Sequence, residues 1–250
     1  MTESHHICDY SDTDYKRDFW GKGGRDYEDM VERLALRRLL PDSIGRFLDL
    51  GGGFGRLMDE YAPRCTSAVL VDYAPNLVEQ ARQRADELHL SNVSVFRGDL
   101  YDLSFLESTF DGCMMVRVLH HVESVDALLG QVRNKLEPGG FFILEYANKR
   151  NLLEIARWLV GRSGLRPFRR EPGRRGQGVY FNFHPRWVED RLRANGFAVE
   201  RVLMASVFRN AVLKRVFGAR FLARMEGMIQ GPLGRLRLSP SVFVLARRLP

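Results

Sequence analysis

Short apolar runs alternate with amphipathic stretches along the part of the chain from residue 44 to residue 147. The runs are rich in Val, Leu, Ile and Phe and predict buried strands, whereas the stretches between them space their apolar residues at helical intervals. Strands that alternate with helices in this way predict a parallel sheet with helices on both faces. The predicted strands are "RFLDL", "SAVLVDY", "VSVFRGDL", "FDGCMMVRVLHHV" and "FFILEYA", and the predicted helices cover 26–40, 55–63, 75–88 and 125–140.

The alternation stops after the fifth predicted strand. Residues 148–183 contain an apolar helix candidate, "NLLEIARWLV", followed by a basic tract rich in glycine. Helical spacing returns at "PRWVEDRLRANGF" and again over residues 207–235, with the strand candidate "AVERVLMAS" between them. The last strand candidate, "PSVFVLARR", is predicted to form a hairpin-like pair with "AVERVLMAS", which makes 207–235 an insertion.

These elements predict an α/β fold of one domain. The fold class is a Rossmann-like three-layer sandwich with a mixed seven-stranded sheet, an antiparallel final strand and a helical cap. Residues 1–25 are predicted to be an irregular lead-in, and residues 26–250 the domain, with cap insertions at 148–183 and 207–235.

Composition narrows the class of protein. Hydrophobic residues make up 45% of the 250-residue chain, which is enough for a substantial core. No apolar run approaches the roughly 20 residues that a membrane span needs, and the N-terminal residues lack the apolar stretch of a signal peptide. Cys8, Cys65 and Cys113 have no Cys-x-x-Cys spacing, which argues against a zinc site and fits a reducing cytoplasm. We therefore expect a cytoplasmic protein without a metal.

Four glycines stand close together in "FLDLGGGFGRL", residues 47–57. Glycine loses much backbone freedom on folding, so a cluster indicates a tight turn or a close approach to a ligand. A strand, a glycine-rich turn and a helix form a seat for nucleotide-like ligands. The spacing Asp49-x-Gly51-x-Gly53-x-Gly55 differs from the G-x-G-x-x-G of dinucleotide-binding proteins, and no P-loop Gly-Lys-Ser/Thr follows.

Acidic residues lie at or near the carboxyl ends of three consecutive predicted strands. Asp49 belongs to the first strand, Asp72 closes the second and Asp99 closes the third. Each of them alone could be a helix N-cap. Because the carboxyl ends of parallel strands share one edge, we expect all three to converge on one crevice, where Asp72 could accept both ribose hydroxyls of a nucleoside.

Together these stretches resemble the class I S-adenosylmethionine-dependent methyltransferases, most closely small-molecule members with a type 11 methyltransferase domain. The resemblance runs from about Asp26 to Ser206. It rests on "LDLGGGFGRL", "VLVDYAPNLVEQAR", "FRGDLYDL", "FDGCMMVRVLHHV" and "LEPGGFFILE". Some N-methylating members carry an Asn/Asp-Pro-Pro-aromatic motif, where this chain has "RVLH", so the atom that is methylated stays open.

The resemblance implies that S-adenosyl-L-methionine is the cofactor and assigns residues to it. The glycine turn would line the methionine part, Asp72 would hold the ribose, and Asp99 would accept from the adenine amino group. Arg25 could reach the cofactor carboxylate if the N-terminal segment folds over the pocket. The implied cofactor residues are Asp49, Gly51, Gly53, Gly55, Asp72, Tyr73, Gly98, Asp99, Leu100, Arg117 and Arg25.

Methyl transfer from a sulfonium mainly requires alignment, which can contribute roughly 7–11 kcal/mol. A base is needed only if the acceptor must lose a proton. His121 is the first candidate for that base, with His120 and Glu145 beside it, since all three follow or lie in the fourth and fifth predicted strands. The alternative is that the histidines pack and hydrogen-bond locally. Tyr146 and His184 are predicted to contact the substrate.

Charge is distributed unevenly along the chain. Residues 146–250 carry 22 Lys/Arg against 6 Asp/Glu, and residues 148–178 alone carry nine against two. This basic tract could be a lid whose arginines, including Arg169 and Arg170, bind a small anionic substrate. It could instead lie on an anionic membrane surface, which is the second interpretation, or contact RNA, which is the third.

The sequence thus predicts a methyltransferase with a small, anionic or lipid-like acceptor and shows no sign of a stable protein partner. Three alternatives stay open at this point. The chain could be a non-catalytic cofactor-binding or scaffold protein of the same fold, or a methyltransferase acting on RNA. A nicotinamide-dependent dehydrogenase is the third, against which the glycine spacing and Asp99 argue.

Overall fold

The computed structural model describes residues 20–21, 25–174 and 180–250, so most of the predicted lead-in lies outside the described residues. No described helix is long and apolar enough to cross a bilayer. The strands are β1 Ile44–Leu50, β2 Cys65–Asp72, β3 Val93–Arg97, β4 Phe110–Met115, β5 Leu136–Ala147, β6 Gly173–Arg174, β7 Phe181–Asn182, β8 Phe197–Ala205 and β9 Ser241–Arg248. The α-helices are α1 Asp26–Leu39, α2 Met58–Tyr61, α3 Pro75–Glu87, α4 Val125–Lys135, α5 Leu152–Leu159, α6 Pro185–Ala194, α7 Ala211–Phe217 and α8 Ala219–Ile229.

Seven of these strands form one mixed sheet in the order β3-β2-β1-β4-β5-β9-β8. The pairs from β3 to β5 are parallel, whereas β9 runs antiparallel to both β5 and β8. In this register, Val244 of β9 lies between Leu144 of β5 and Val202 of β8. The predicted mixed seven-stranded sheet is therefore confirmed, as is the pairing of the last strand with β8.

Alternate residues of the strands face opposite sides of the sheet, and each side is covered by helices. Phe47 packs in one core, to which α1, α2, α3 and α8 contribute, and its neighbour Leu48 packs in the other, under α4 and α6. A strand points successive side chains to opposite faces. The strands of this sheet have apolar residues facing both sides, which is typical of a sheet that is buried on both faces. The result is the predicted three-layer sandwich.

Two predicted helices are shorter in the structure. The helix expected over 55–63 is reduced to α2 and one 3-10 turn, because Gly55 has φ +75° and Pro63 has no N–H to donate. The helix expected over 125–140 ends at Lys135, and β5 begins at Leu136. Pro138 and Gly139, at φ +79°, lie inside this longer strand and cannot continue a helix.

The two predicted insertions lie against different parts of the fold. β6 and β7 pair as a small hairpin, and β7 packs beside the 3-10 turn Leu119–His121 that follows β4. The helix α8 packs on α1 instead. Their assignment as a substrate cap stays a prediction.

Candidate functional site

One cleft opens at the carboxyl ends of the central parallel strands. It lies where the chain order of the sheet changes direction between β1 and β4, which is where open α/β sheets leave a crevice. The turns after β1, β2, β3 and β4 all contribute to its wall, through Gly51, Asp72, Asp99 and Arg117 among others. The structure thus brings together turns that lie far apart in the sequence.

The glycine turn forms one side of the cleft through Gly51, Gly52 and Gly53. Gly51 has φ +70°, and a Cβ there would collide with Val118, so this glycine is needed for packing as well as for the turn. Gly53 has φ +57°, and the position of its missing Cβ has no protein atom within 4 Å. The backbone at Gly53 is therefore left bare toward the cleft, where a ligand can approach it closely.

Gly55 and Gly98 lie outside the cleft. Gly55 has φ +75° and turns the chain toward α2, and its carbonyl accepts Arg84 Nε at 3.0 Å. The N–H of Gly98 donates to the Asp72 carbonyl at 3.0 Å, and a Cβ on Gly98 would collide with Phe105. Both glycines shape the loops that carry the site and do not face a ligand directly.

The three predicted carboxylates all line the cleft. Asp72 Oδ2 accepts the N–H of Gly53 at 2.8 Å and its Oδ1 accepts the N–H of Ala74 at 3.1 Å, so this side chain ties the glycine turn to the end of β2. Asp99 Oδ1 accepts the N–H of Tyr101 at 2.9 Å. These bonds fix both carboxylates while leaving lone pairs for a ligand.

Asp49 is the most buried of the three carboxylates, with 2% of its surface exposed. Burial, together with the nearby Asp72 carboxylate, raises the pKa of Asp49 to about 7, although Tyr61 and Arg56 oppose the shift. An acid with this pKa is partly protonated at neutral pH, when its proton can be donated in a hydrogen bond. Asp49 thus lies beneath the glycine turn as a positioning group.

Aromatic and apolar side chains line the side of the cleft next to Asp99. Tyr73 and Leu77 come from the end of β2 and from α3, and Leu100 and Tyr101 follow β3. Arg97 lies over the Tyr73 ring, 5.6 Å from its centroid. Tyr73 and Leu100, which the resemblance assigned to the cofactor, thus line the cleft together with Leu77 and Tyr101, and their contact with a planar base stays a prediction.

The other end of the cleft is formed by an aromatic ring and two arginines, which we call the Trp20 cluster: Trp20, Arg56, Arg117 and Glu32. The Cζ atoms of Arg56 and Arg117 lie 4.0 and 5.1 Å from the Trp20 centroid. Glu32, which is fully buried on α1, binds both guanidinium groups, with Arg56 at 2.6 Å. Burial would raise the pKa of Glu32, but the two arginines outweigh it and hold the pKa below its ordinary value.

Only Arg117 of this cluster was predicted as a cofactor residue. Arg25 lies behind Trp20, with its Cζ 5.7 Å from the ring centroid, and does not line the cleft. Arg56 directly follows Gly55, which is the one sequence signal that could have identified it. Trp20 and Glu32 come from the N-terminal part of the chain, and nothing in the sequence connects them with the turns after β1 and β4.

Glu145 lies behind the cleft and does not line it. It is 5% exposed on β5, its Oε2 accepts the N–H of Arg117 at 2.9 Å, and its Oε1 accepts the Ser241 hydroxyl. Arg117 has φ +61°, which is unusual for a residue with a side chain. Glu145 therefore holds the turn after β4 and is a positioning residue in this geometry, whereas the sequence assigned it a catalytic role.

Of the two histidines, His121 lines the cleft and His120 lies behind it. Their ring centroids are 4.0 Å apart, and Tyr180 covers His120 at 4.6 Å and His121 at 5.8 Å. Burial, followed by the charge of His121, lowers the pKa of His120 well below its ordinary value. His120 is therefore neutral and packs locally, which leaves His121 as the imidazole of this pair that faces the cleft.

The remaining predicted substrate residues lie away from the cleft. Tyr146 is fully buried in the core beneath α6, and His184 caps α6 by accepting the N–H of Arg186 at 3.2 Å. Burial lowers the pKa of His184 to about 4. Arg169 and Arg170 are exposed, and Arg170 pairs with Asp190 at 3.2 Å. The Tyr146 hydroxyl is buried and has no hydrogen-bond partner among the described residues.

The residues present fit S-adenosylmethionine. Asp72 and Asp99 offer acceptors to hydroxyl and amino groups, and the two arginines of the Trp20 cluster offer donors to a carboxylate. The buried indole N–H of Trp20 has no hydrogen-bond partner among the described residues. An unpaired buried donor is costly, so a ligand that accepts from it would be favoured. The fold and this cleft define a class I methyltransferase architecture.

Comparison with known proteins gives the same class. Residues 48–144 match the model of a family described as a methyltransferase domain. The chain is 30% identical over 123 residues to the biotin biosynthesis bifunctional protein BioHC of Teredinibacter turnerae, covering 45% of this chain and 21% of that protein. It is also 30% identical over 125 residues to a ubiquinone biosynthesis O-methyltransferase of Azorhizobium caulinodans, covering 50% of this chain and 49% of that protein.

A solved structure from Thermotoga maritima, described as a possible histamine N-methyltransferase, superposes with a TM-score of 0.64 at 17% identity, covering 96% of this chain and 98% of that one. Residues 48–144 thus carry a methyltransferase domain, and the chain has the fold of the S-adenosylmethionine-dependent methyltransferases, as the sequence predicted. It spans less than half the length of the two curated relatives. Its own acceptor is therefore a proposal.

Proposed function

We propose that this protein transfers a methyl group from S-adenosylmethionine to a small, anionic or lipid-like acceptor. The observation that carries the proposal is the cleft, which has hydroxyl- and amine-binding carboxylates along one side, a paired-arginine cluster at one end and His121 in its wall. A nicotinamide dinucleotide would need a place for its pyrophosphate, and Asp72 lies against the glycine turn at 2.8 Å where that anion would sit.

The cofactor would be held along the cleft by three groups of side chains. Asp72 would accept from the ribose hydroxyls, and Asp99 from the adenine amino group. Arg56 and Arg117 would bind the carboxylate of the methionine part, with the Trp20 indole N–H as a further donor. Glu32 orients both arginines before any ligand arrives, so little side-chain entropy is lost on binding.

When bound, the cofactor supplies a methyl group on a sulfonium that is already a good leaving group. The protein's own contribution is alignment and exclusion of water, which can supply roughly 7–11 kcal/mol of the barrier. His121 would accept the proton of an acceptor hydroxyl or acid. His120 and Tyr180 hold that imidazole in place, and an ionisable group in this position contributes typically about 10²–10⁴-fold.

The acceptor class is inferred from the surroundings of His121. The wall there is apolar, with Val116, Val118 and Val122. Glu123, the residue after Val122, pairs with Arg174 of β6 at 3.0 Å, which connects the basic tract to this turn. The apolar wall favours an acceptor with an apolar body, and the excess of arginine in the basic tract favours one with an anionic group. The relatives include proteins named for O-methylation and for possible N-methylation, so either acceptor atom is compatible with them.

The test has two stages on the same preparation. Calorimetry should first show binding of S-adenosylhomocysteine, and a methyl-release assay should then find turnover in a panel of fatty carboxylates, apolar phenols, amines and neutral sugars. We expect turnover with the first two groups. Asp72→Ala serves as the cofactor-binding control. Cofactor binding without turnover on any acceptor would favour the scaffold alternative, and turnover restricted to amines or sugars would contradict the acceptor class.

A further inference from the structure

The paired helices α7 and α8 carry a set of large apolar side chains that no part of the described structure covers. Their exposed fractions run from 37% for Met225 to 68% for Val212. A folded protein rarely leaves such side chains contiguous unless the surface binds something. We call this set the α7–α8 surface: Val212, Val216, Phe217, Phe221, Met225 and Met228.

The spacing of these residues makes them a continuous stripe. Val212 and Val216 are four residues apart on α7, and Phe221, Met225 and Met228 recur at i, i+4 and i+7 on α8. The Phe217 and Phe221 rings stack, with centroids 6.0 Å apart, and so join the two helices. This stripe is distinct from the packed face of α8, because Leu222, Ala223, Glu226 and Gly227 are the residues buried against the fold.

The charge around the stripe has one sign. Residues 209–237 contain seven Lys/Arg and a single acid, Glu226, which is fully buried. Arg215, Arg220, Arg224 and Arg235 are exposed, and none of these four is paired with a carboxylate anywhere in the described ranges. The surface that α7 and α8 offer to solvent therefore combines the apolar stripe with exposed arginines on the same two helices.

The basic tract of residues 148–178, for which membrane contact was the second interpretation of the sequence, differs in where its unpaired arginines lie. Three of its arginines pair with a carboxylate, as Arg170 does with Asp190 at 3.2 Å. The others that the structure describes have no carboxylate partner in the described ranges and lie outside α5: Arg150, Arg162, Arg166 and Arg169. On α7 and α8, by contrast, unpaired arginines lie on the same helices as the apolar stripe, which favours these helices for the contact.

We propose that the α7–α8 surface docks on a bilayer containing anionic phospholipid. At the boundary of such a bilayer, the apolar stripe would contact the acyl chains and the arginines beside it would bind the phosphate head groups. A second copy of the chain would bring the same cations face to face, which is unfavourable. A nucleic acid would pair with the arginines but leave the stripe in water.

The docking surface is connected to the cleft through one helix. Glu226 of α8 binds the Tyr27 hydroxyl, Lys214 of α7 pairs with Glu28 at 3.2 Å, and the same helix α1 carries Glu32 of the Trp20 cluster. A bilayer on the α7–α8 surface would therefore lie against the element that supports the arginine end of the cleft. The docking itself does not require methyl transfer, so it can be tested without an acceptor.

The test is co-sedimentation of the full chain with phosphatidylcholine vesicles, with and without phosphatidylglycerol. We expect binding to the anionic vesicles that weakens with salt. The variant Val216→Ser/Phe221→Ser/Met228→Ser should bind roughly tenfold or more weakly, since it removes apolar side chains that enter the bilayer. The matched control is Leu153→Ser/Leu159→Ser/Val160→Ser, which changes residues of similar exposure on α5 and directly after it and should bind like the wild type.

Folding of each variant is checked by its affinity for S-adenosylhomocysteine, which should match that of the wild type. Three results would overturn the proposal: no binding of the wild type to anionic vesicles, equal binding to neutral and anionic vesicles, or loss of binding in the α5 variant alone. Light scattering on the same samples would also contradict it by showing a wild-type dimer that the α7–α8 variant dissociates.

Discussion

The backbone N–H of Arg117 donates to Glu145 Oε2 at 2.9 Å, from a turn in which Arg117 has φ +61°. The carboxylate belongs to β5 and the turn follows β4. One buried side chain of β5 therefore fixes the backbone of the turn that follows the neighbouring strand. Burial raises the pKa of Glu145, while Arg117 and the Ser241 hydroxyl oppose the shift. Glu145 therefore fixes the position of Arg117, which lines the cleft, although Glu145 itself does not line it.

Replacement of Glu145 should separate a positioning role from a catalytic one. Glu145→Ala leaves the N–H of Arg117 without its acceptor, which should cost about 1–3 kcal/mol of unfolding free energy and weaken cofactor binding. Glu145→Gln keeps an acceptor oxygen and should restore most of both. Urea unfolding and calorimetry with S-adenosylhomocysteine measure the two effects. A Gln variant with normal affinity but almost no turnover would instead indicate a catalytic carboxylate.

Asp72 should dominate cofactor affinity. Asp72→Ala removes an acceptor for the ribose and also the bond to Gly53 that fixes the glycine turn. Charge-assisted bonds contribute about 1.5–3 kcal/mol each, so affinity for S-adenosylhomocysteine should fall roughly tenfold or more. Asp72→Asn, which retains one acceptor oxygen, should lie between Ala and wild type. Unchanged affinity in a folded Ala variant would remove Asp72 from the site.

The open position at Gly53 can be tested with a second glycine as control. Gly53→Ala and Gly161→Ala place a side chain at φ +57° and φ +67°, and neither Cβ has a protein atom within 4 Å. Both should therefore lose about 1–2 kcal/mol of stability from backbone strain. Only Gly53→Ala should also lose cofactor affinity, because its methyl group points into the cleft. Equal affinities for the two variants would show that the ligand does not approach Gly53.

Stability should fall as the pH rises through the range in which Glu226 ionises. Burial raises the pKa of Glu226 to about 7 from 4.5, so the native state binds more protons than the unfolded state between these values. The wild type should therefore lose about 2–3 kcal/mol from this group between pH 5 and pH 7.5. Asp49, whose pKa is also raised to about 7, acts in the same direction.

Glu226→Gln isolates the contribution of that carboxyl. The amide stays neutral and can still accept from Tyr27 and from the N–H of Val207. Relative to the wild type, the variant should be more stable at pH 7.5 and nearly unchanged at pH 5. Denaturant unfolding at the two pH values measures the difference. Parallel pH profiles for the two proteins would be inconsistent with a raised pKa at this position.

His121 should affect turnover and leave cofactor binding alone. Once an acceptor is found, His121→Ala should lower kcat by about 10²-fold or more if the imidazole takes the acceptor's proton, with affinity for S-adenosylhomocysteine retained. His120→Ala is the matched change behind the cleft and should act mainly on stability, because His120 is buried and its ring packs against those of His121 and Tyr180. Equal kcat losses in both variants would assign the pair a structural role.

The sheet, the glycine turn and the row of carboxylates are all predictable from the sequence alone. They follow from local signals, because apolar periodicity marks the strands and parallel strands end at one edge. The shared location of Asp49, Asp72 and Asp99 is a consequence of those two rules. The pairing of β9 with β8 also followed from chain order, whereas the ends of α2 and α4 were misplaced, where Pro and Gly stop a helix.

Which side chains face the cleft depends on packing between distant parts of the chain. Trp20, Glu32 and Arg117 meet because α1 packs beside the turns after β1 and β4, and an ion pair between residues 85 positions apart leaves no periodic signal in the sequence. The same holds for Glu145, whose strand position predicted the cleft edge but whose carboxylate turns toward a backbone N–H. The second apolar face of α8 is likewise a result of packing, because periodicity counts apolar positions without showing which of them the fold covers.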